Sequence, residues 1–126
     1  MKKKFISAAS ALACVLSLGA SAQADEVADF YKDKTLTLLL STGVGGSNDL
    51  NGRIFMRYMT KYLPGKPGFK SVNMPGAGHV RASNYLYTRA PQDGTYIGSI
   101  IRFFVLHQAL GGKGVKYDAR KFNFLG

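Results

Sequence analysis

Hydrophobic and polar positions along the chain predict strands and helices in alternation. Residues 35–40 form an apolar run with β-branched members, and glycines follow it at positions 43, 45 and 46. Such a run is typical of a strand buried on both faces of a parallel sheet. Residues 48–63 repeat apolar side chains at helical spacing, with Ser47 or Asn48 placed to cap the helix. Its predicted apolar face carries Leu50, Ile54, Tyr58, Met59 and Tyr62, and its basic face carries Arg53, Arg57 and Lys61.

The second half of the chain continues the alternation. Residues 69–74 predict a second strand, 95–101 a third, 105–110 a short helix and 122–125 the start of a fourth strand. Between the second and third strands, a helix that ends before Pro91 is marked by one face of Val80, Ser83, Tyr87 and Ala90. This order predicts an α/β fold with a mainly parallel sheet. No helix follows the last predicted strand, so we expect an incomplete lobe.

The first 24 residues have the layout of a secretory signal peptide. Three lysines at positions 2–4 precede an apolar run over residues 5–18, and Ala22-Gln23-Ala24 supplies small residues for cleavage after Ala24. A lipoprotein site ending at Cys14 is the weaker alternative. The apolar run is too short for a membrane anchor, which needs about 20 apolar residues. We therefore expect export of a mature chain spanning residues 25–126.

Composition narrows the chemistry of that mature chain. Of 17 Lys and Arg residues in the sequence, three leave with the signal, and 14 remain against all seven Asp and Glu residues. The single cysteine, Cys14, also leaves, so disulfides, zinc–thiolate sites and cysteine nucleophiles are excluded. Export and the absence of interleaved aromatics on the basic helix face argue against a nucleic-acid partner. The basic residues on that helix face are better interpreted as side chains exposed to solvent.

Two glycine-rich loops carry the most informative local pattern. Residues 43–49 and 73–79 each place glycines between a predicted strand and a helix. The N–H groups at a helix start attract anions, and the carboxyl ends of parallel strands open on one side of a sheet. Neither a dinucleotide fingerprint, which fails at Asn48, nor a phosphate-binding loop is present. The pair of loops predicts a site for a small anion.

Three side chains near or beyond these loops are candidates for chemistry. Asp49 lies in a first helical turn, where a carboxylate more often stabilises the helix dipole than contacts a ligand. His79 is positioned to donate to an anion, whereas His107 has no partner spacing and fits a structural role. The acids show no paired spacing for acid–base work. We expect no catalytic set, no metal site and no cofactor.

Ordered segments from residue 30 onward resemble the solute-binding proteins of tripartite tricarboxylate transporters, the Bug family. The segments are 30–37 (FYKDKTLT), 45–49 (GGSND), 73–78 (NMPGAG), 82–87 (ASNYLY), 90–95 (APQDGT), 111–115 (GGKGV) and 122–126 (FNFLG). The resemblance implies a two-lobed periplasmic-binding-protein fold of type II that holds a carboxylate between its lobes. Residues 25–126 would then supply the N-terminal part of the first lobe, with the second lobe absent.

The resemblance also implies which residues contact the ligand. The family's carboxylate is held mainly by backbone groups and waters of the two loops, and Asp49 matches its recurrent acid. The implied ligand-binding residues are Val44, Gly45, Gly46, Ser47, Asn48, Asp49, Gly76, Ala77, Gly78 and His79. Val44 replaces a proline and His79 a glycine found in many members, so ligand choice need not follow the family.

The sequence therefore predicts a periplasmic solute-binding protein, or a truncated fragment of one, and not an enzyme. Its expected partners are a small organic acid and membrane transporter subunits. A small exported enzyme that uses His79 and a non-functional truncated remnant are the alternatives. For the mature chain alone we expect poor folding. We also expect its affinity for carboxylates to be no better than millimolar, since exposed hydrogen bonds contribute about 0.5–1.5 kcal/mol each.

Overall fold

Three parallel strands form the centre of the chain in a computed structural model that describes residues 26–125. The strands are β1 (Thr35–Leu40), β2 (Gly68–Asn73) and β3 (Tyr96–Ser99), arranged in the order β2-β1-β3. β1 pairs in parallel with both neighbours. The open sheet confirms the predicted α/β class and parallel pairing. The predicted signal peptide lies outside the described residues.

Helices connect the strands close to the predicted positions. They are α1 (Ser47–Tyr62), α2 (Val80–Thr88) and α3 (Phe103–Ala109), with 3₁₀ turns at Ala77–His79 and Ala119–Lys121. Residues 26–31 are also helical. No helix within residues 26–125 is both long enough and apolar enough to cross a bilayer.

The central strand is buried because a helix covers each of its faces. Leu36, Leu38 and Leu40 pack with Met56 of α1 in one apolar cluster. Successive side chains of a strand alternate between faces, so Leu39 lies on the opposite side, in register with Gly98 of β3. There a Cβ on Gly98 would collide with Leu86 of α2, so the glycine permits this close approach. The sheet is therefore sandwiched between α1 and α2.

A second apolar cluster holds the C-terminal part of the described chain. Val80, Phe104, Tyr117 and Ala119 form its buried centre, and Phe122 packs against it. The Tyr117 hydroxyl donates to the carbonyl of Phe104 at 2.7 Å. The prediction of a strand over residues 122–125 is wrong, since these residues form none. Packing of Phe122 among the rings of Phe104 and Tyr117 holds the segment in the cluster.

The predicted buried face of α1 is also wrong. Leu50 and Tyr62 are 58% and 75% exposed, and Ile54 and Tyr58 are exposed as well. The buried residues of the helix are Asp49, Gly52, Met56 and Thr60. Gly52 sits against Leu38 and Leu40, which brings the helix close to the sheet. The Thr60 hydroxyl is satisfied by the carbonyl of Met56 at 2.9 Å, so these small or polar side chains can face the sheet. Only Met59 of the predicted set packs against the core.

Candidate functional site

The two glycine loops meet at one edge of the sheet, where the parallel strands end. After the end of β1 the chain continues through Ser41 and Thr42, and β2 ends at Asn73. The Asn73 side-chain amide donates to the carbonyl of Thr42 at 3.0 Å. Nδ1 of His79, in the second loop, lies 3.1 Å from the carbonyl oxygen of Ser41. The structure thus brings both predicted loops together, and we call this edge the strand-end rim.

The start of α1 is open at this rim. Gly46 is the N-cap, and no side chain caps the helix, so the prediction that Ser47 or Asn48 does so is wrong. Asn48 is instead engaged with β3, since its side-chain oxygen accepts from the Ser99 hydroxyl at 3.3 Å. Within residues 26–125, the N–H groups of Ser47, Asn48 and Asp49 donate to no acceptor. First-turn amides of this kind carry the positive end of the helix dipole.

Asp49 lies beneath the first loop and is only 3% exposed. Its carboxylate accepts from the N–H of Gly45 at 3.0 Å, from Nε of Arg53 at 3.0 Å and from the Asn73 amide at 2.8 Å. These hydrogen bonds, of which that from Arg53 has the largest effect, hold the pKa of Asp49 well below its ordinary value. The carboxylate is therefore ionised and its oxygens are occupied by protein donors.

Arg53 and Asn73 belong to the site although sequence analysis did not single them out. A second nitrogen of the Arg53 guanidinium donates to the Asn73 side-chain oxygen at 2.9 Å, which closes a triangle with Asp49. The interpretation of Arg53 as a solvated cation is wrong, because it bridges α1 and β2. The spacing of Asp49 and Arg53, four residues apart on a helix, is the sequence feature from which this pair could have been predicted.

The second loop is built from an unusual backbone. Gly76, Ala77, Gly78 and His79 all have positive φ, at 133°, 48°, 59° and 74°. Non-glycine residues rarely adopt such angles, and each occurrence costs roughly 1–2 kcal/mol. The hydroxyl of Ser83 secures the turn by donating to the carbonyl of His79 at 3.0 Å. With residues 76–79 in this left-handed conformation, the ring of His79 lies beside Ser41.

Space is open above the first loop. A Cβ added at Gly43 or Gly46 would meet no atom of the described residues within 4 Å, and neither glycine has a positive φ. Neither local packing nor local backbone angle therefore demands glycine at these two positions. Val44 between them is exposed. The arrangement leaves the backbone of the loop accessible to a molecule from solvent.

The remaining ionisable groups form no further centre in the described chain. Within residues 26–125, no three His, Cys, Asp or Glu side chains come together as a potential metal site. The ring of His79 is hydrogen-bonded to a backbone carbonyl, and no carboxylate or hydroxyl is within hydrogen-bond distance of it among these residues. Nδ1 of His107 is buried on α3 without a partner in the same range.

Comparisons with known proteins give no match: no family model, no curated protein and no solved structure is significantly similar to this chain. The resemblance to transporter binding proteins therefore rests on the ordered sequence segments alone. The geometry of the rim is the independent support for a function.

Proposed function

We propose that the strand-end rim binds the carboxylate of a small organic acid, and that the chain serves as a solute-binding component of a tripartite tricarboxylate-type transporter. In this proposal the protein is exported to the periplasm and delivers its ligand to membrane transporter subunits. The ligand-binding residues are those of the two glycine loops. No cofactor or reaction is part of the proposal.

The observation that carries the proposal is the open, donor-rich start of α1. Three first-turn N–H groups of α1 have no acceptor among residues 26–125, and they lie beside Gly43 and Gly46, where neither packing nor backbone angle within this range requires a glycine. An anion placed there would gain hydrogen bonds and the favourable helix dipole. The second loop lies alongside, joined through His79 and Ser41, so an acid larger than a single carboxylate can touch both loops.

The ionised Asp49 does not prevent anion binding in this arrangement. Its charge is compensated by the Arg53 guanidinium, and its oxygens accept from three donors. Acting through Gly45, it is a positioning residue that holds the shape of the loop. The N–H groups of the helix start, and not Asp49, are the proposed contacts to the ligand.

Binding is a better interpretation than acid–base catalysis for His79. A histidine that moves a proton in a reaction is usually oriented by an acid or acts on a nearby nucleophile. Here its Nδ1 contacts the carbonyl of Ser41, which orients the ring without supplying a base. The geometry supports a role in shaping the rim next to the second loop.

The direct experiment is an NMR titration of the isotopically labelled mature chain, residues 25–126. Acetate, succinate and citrate would be added up to tens of millimolar at constant ionic strength, with sodium chloride as the matched control. We expect saturable shifts of the amides at 43–48 and 76–78, with millimolar affinity because the rim stays open to water. Shifts spread evenly over the surface, or none in a folded sample, would refute the proposal.

A further inference from the structure

A basic groove runs beside α2 from the second glycine loop, where Arg81 lies next to Gly76. Residues 50–92 contain seven Lys or Arg residues and no Asp or Glu. Within the described chain, part of that excess gathers around a groove of about 320 Å³. Residues lining it include Met74, Arg81, Asn84, Tyr85, Arg89 and Lys116. We call it the α2 groove.

The cations of the α2 groove are held in a defined arrangement. Arg81 and Tyr85 are four residues apart, which places them on one side of α2, and Arg89, the residue that caps the end of α2, lines the same groove. Asn84 holds the backbone of Lys116 beside the groove. The Asn84 amide donates to the carbonyl of Gly114 at 2.8 Å, and its oxygen accepts from the N–H of Lys116 at 2.7 Å.

These cations have no carboxylate partner among residues 26–125. The ion pairs within this range join Asp49 to Arg53 and Asp118 to Arg120. Arg81 stands in the first turn of α2, where no acid accompanies it and where the helix dipole disfavours a positive charge. The fold thus gathers three exposed cations without neutralising them, which leaves a strong local attraction for negative charge.

The neighbouring face of β2 extends the α2 groove with apolar surface. Val72 pairs with Leu39, so it lies on the side of the sheet that α2 covers over β1. It is nevertheless 38% exposed, because α2 leaves the edge strand open. Lys70 lies on the same side by strand alternation and is exposed too. The combined surface alternates cations with Val72, Met74 and Tyr85.

We propose that the α2 groove binds an extended acidic segment of a partner protein. The eight steps along the chain from Arg81 to Arg89 span about 12 Å at 1.5 Å per step, which is longer than a small acid can bridge. Small-molecule sites enclose most of their ligand, whereas this groove is open along its length. Carboxylates spaced along a peptide can meet the cations while its apolar side chains contact Val72 and Met74.

The test is fluorescence anisotropy of a labelled 12-residue peptide in which six glutamates are interspersed with valine and serine. Binding to the mature chain is measured at about 50 and 200 mM salt, where exposed ion pairs are screened to different extents. The groove variant is Arg81→Glu/Arg89→Glu. The matched control is Arg57→Glu/Lys61→Glu on α1, across the sheet, with the same change in net charge and likewise no ion pair within the described residues.

We expect the groove variant to weaken peptide binding at least about tenfold and the control variant less than about twofold. Equal weakening by both variants would show attraction by net charge alone and overturn the proposal. Complete displacement of the peptide by millimolar citrate would indicate a small-anion site and also overturn it. If the same arginines bind phosphatidylglycerol vesicles but not the peptide, the partner would be a membrane, and the proposal would again be overturned.

Folding of each variant is verified by its circular dichroism spectrum and Tm. If Arg81→Glu/Arg89→Glu does not fold, Arg81→Gln/Arg89→Gln replaces it, with Arg57→Gln/Lys61→Gln as control, and at least a threefold difference is expected. The outcome is distinguishable from that for the rim, because citrate should shift the amides at 43–48 without displacing the peptide. Loss of rim binding therefore leaves this proposal standing, and the converse also holds.

Discussion

The two loops of the strand-end rim are shaped by different forces. The first is supported from below, where the Asp49 carboxylate holds the N–H of Gly45 and joins Arg53 and Asn73. The second is shaped mainly by its own backbone, with four consecutive residues at positive φ. The shape of the first loop is therefore held by charged and polar side chains, whereas the second loop has a strained backbone conformation.

This difference separates stability from binding at the rim. The network below the first loop links α1 to β2, so damage to it should spread through the fold. The strain in the second loop is local, and relieving it should stabilise the chain. Gly43 and Gly46 of the first loop have no structural role of this kind within the described residues, so changes at these two positions should affect a ligand more than the fold.

The largest effect is expected from Asp49→Ala. It leaves the Arg53 guanidinium and the Asn73 amide without their buried partner, and we expect Tm to fall on the order of 10 °C. Thermal unfolding monitored by circular dichroism measures it. Asp118→Ala, which breaks the more exposed pair with Arg120, is the control and should change Tm much less. Similar losses in both variants would contradict a special role for the network below the loop.

Acid should lower the contribution of Asp49 to the free energy of unfolding, and it should leave the conformation of the second loop unchanged. The pKa of Asp49 in the folded chain lies below its ordinary value of 3.8, so its contribution to stability is fully present above about pH 5. That contribution decreases as the pH falls below about 4, because the unfolded state takes up the proton first. Urea unfolding of the parent and of Asp49→Asn between pH 3 and 7 should give curves that converge in acid.

The pKa values of Asp93 and Asp118 are lowered as well, through Thr95 and Arg120 respectively. Both carboxyl groups are shared by the two proteins, so the difference between the curves isolates Asp49. A constant difference in the free energy of unfolding from pH 7 to pH 3 would contradict the assignment.

The periodicity of the sequence predicted the positions of the strands and helices better than it predicted which of their residues contact the core. The continuous apolar run predicted β1 over the same residues that the structure shows, because a central strand buries both faces. The boundaries of α1 were predicted within one residue, yet the structure buries a different face of this helix from the predicted one. Gly52 faces the sheet because it allows a close approach, and Asp49 faces it because of its charge pairing. A pattern of hydrophobic positions gives no information on either cause.

The candidate site was predictable in its location but not in its chemistry. Glycines after two parallel strands indicate one shared edge, and the structure brings both loops there. That Asn73 would link Asp49 to the backbone of Thr42 depends on pairing across strands, which sequence spacing cannot reveal. The left-handed angles of Ala77 and His79 were equally hidden, since alanine gives no signal of them.

A smaller effect, with the opposite sign, is expected in the second loop. Ala77→Gly removes the steric cost of a φ of 48° and should raise the free energy of unfolding by up to about 1 kcal/mol. The control is Ala82→Gly, the same substitution at a buried position of α2, which should lower it by at least about 1 kcal/mol. Urea unfolding gives both values, and destabilisation by Ala77→Gly would contradict the strained conformation.

The smallest change in stability is expected for Gly43→Ala. A Cβ at this position meets no atom within 4 Å, and the residue has no positive φ, so the loss of flexibility in the unfolded chain should raise stability by about 0.4 kcal/mol. The methyl group would nevertheless occupy space above the first loop and hinder the approach of a carboxylate. We expect the citrate-induced shifts of the amides at 43–48 to weaken at least about threefold.

Gly68→Ala is the matched control for this last comparison, because it adds a methyl group at the other end of the sheet. The nearest atom to its Cβ would be Oγ1 of Thr35 at 3.7 Å, an ordinary contact, so citrate binding should remain unchanged. If Gly43→Ala binds citrate as the parent does, the open space above the first loop has no part in recognition. If instead Gly43→Ala unfolds the chain, the glycine is structural, and the separation of stability from binding drawn between the two loops is wrong.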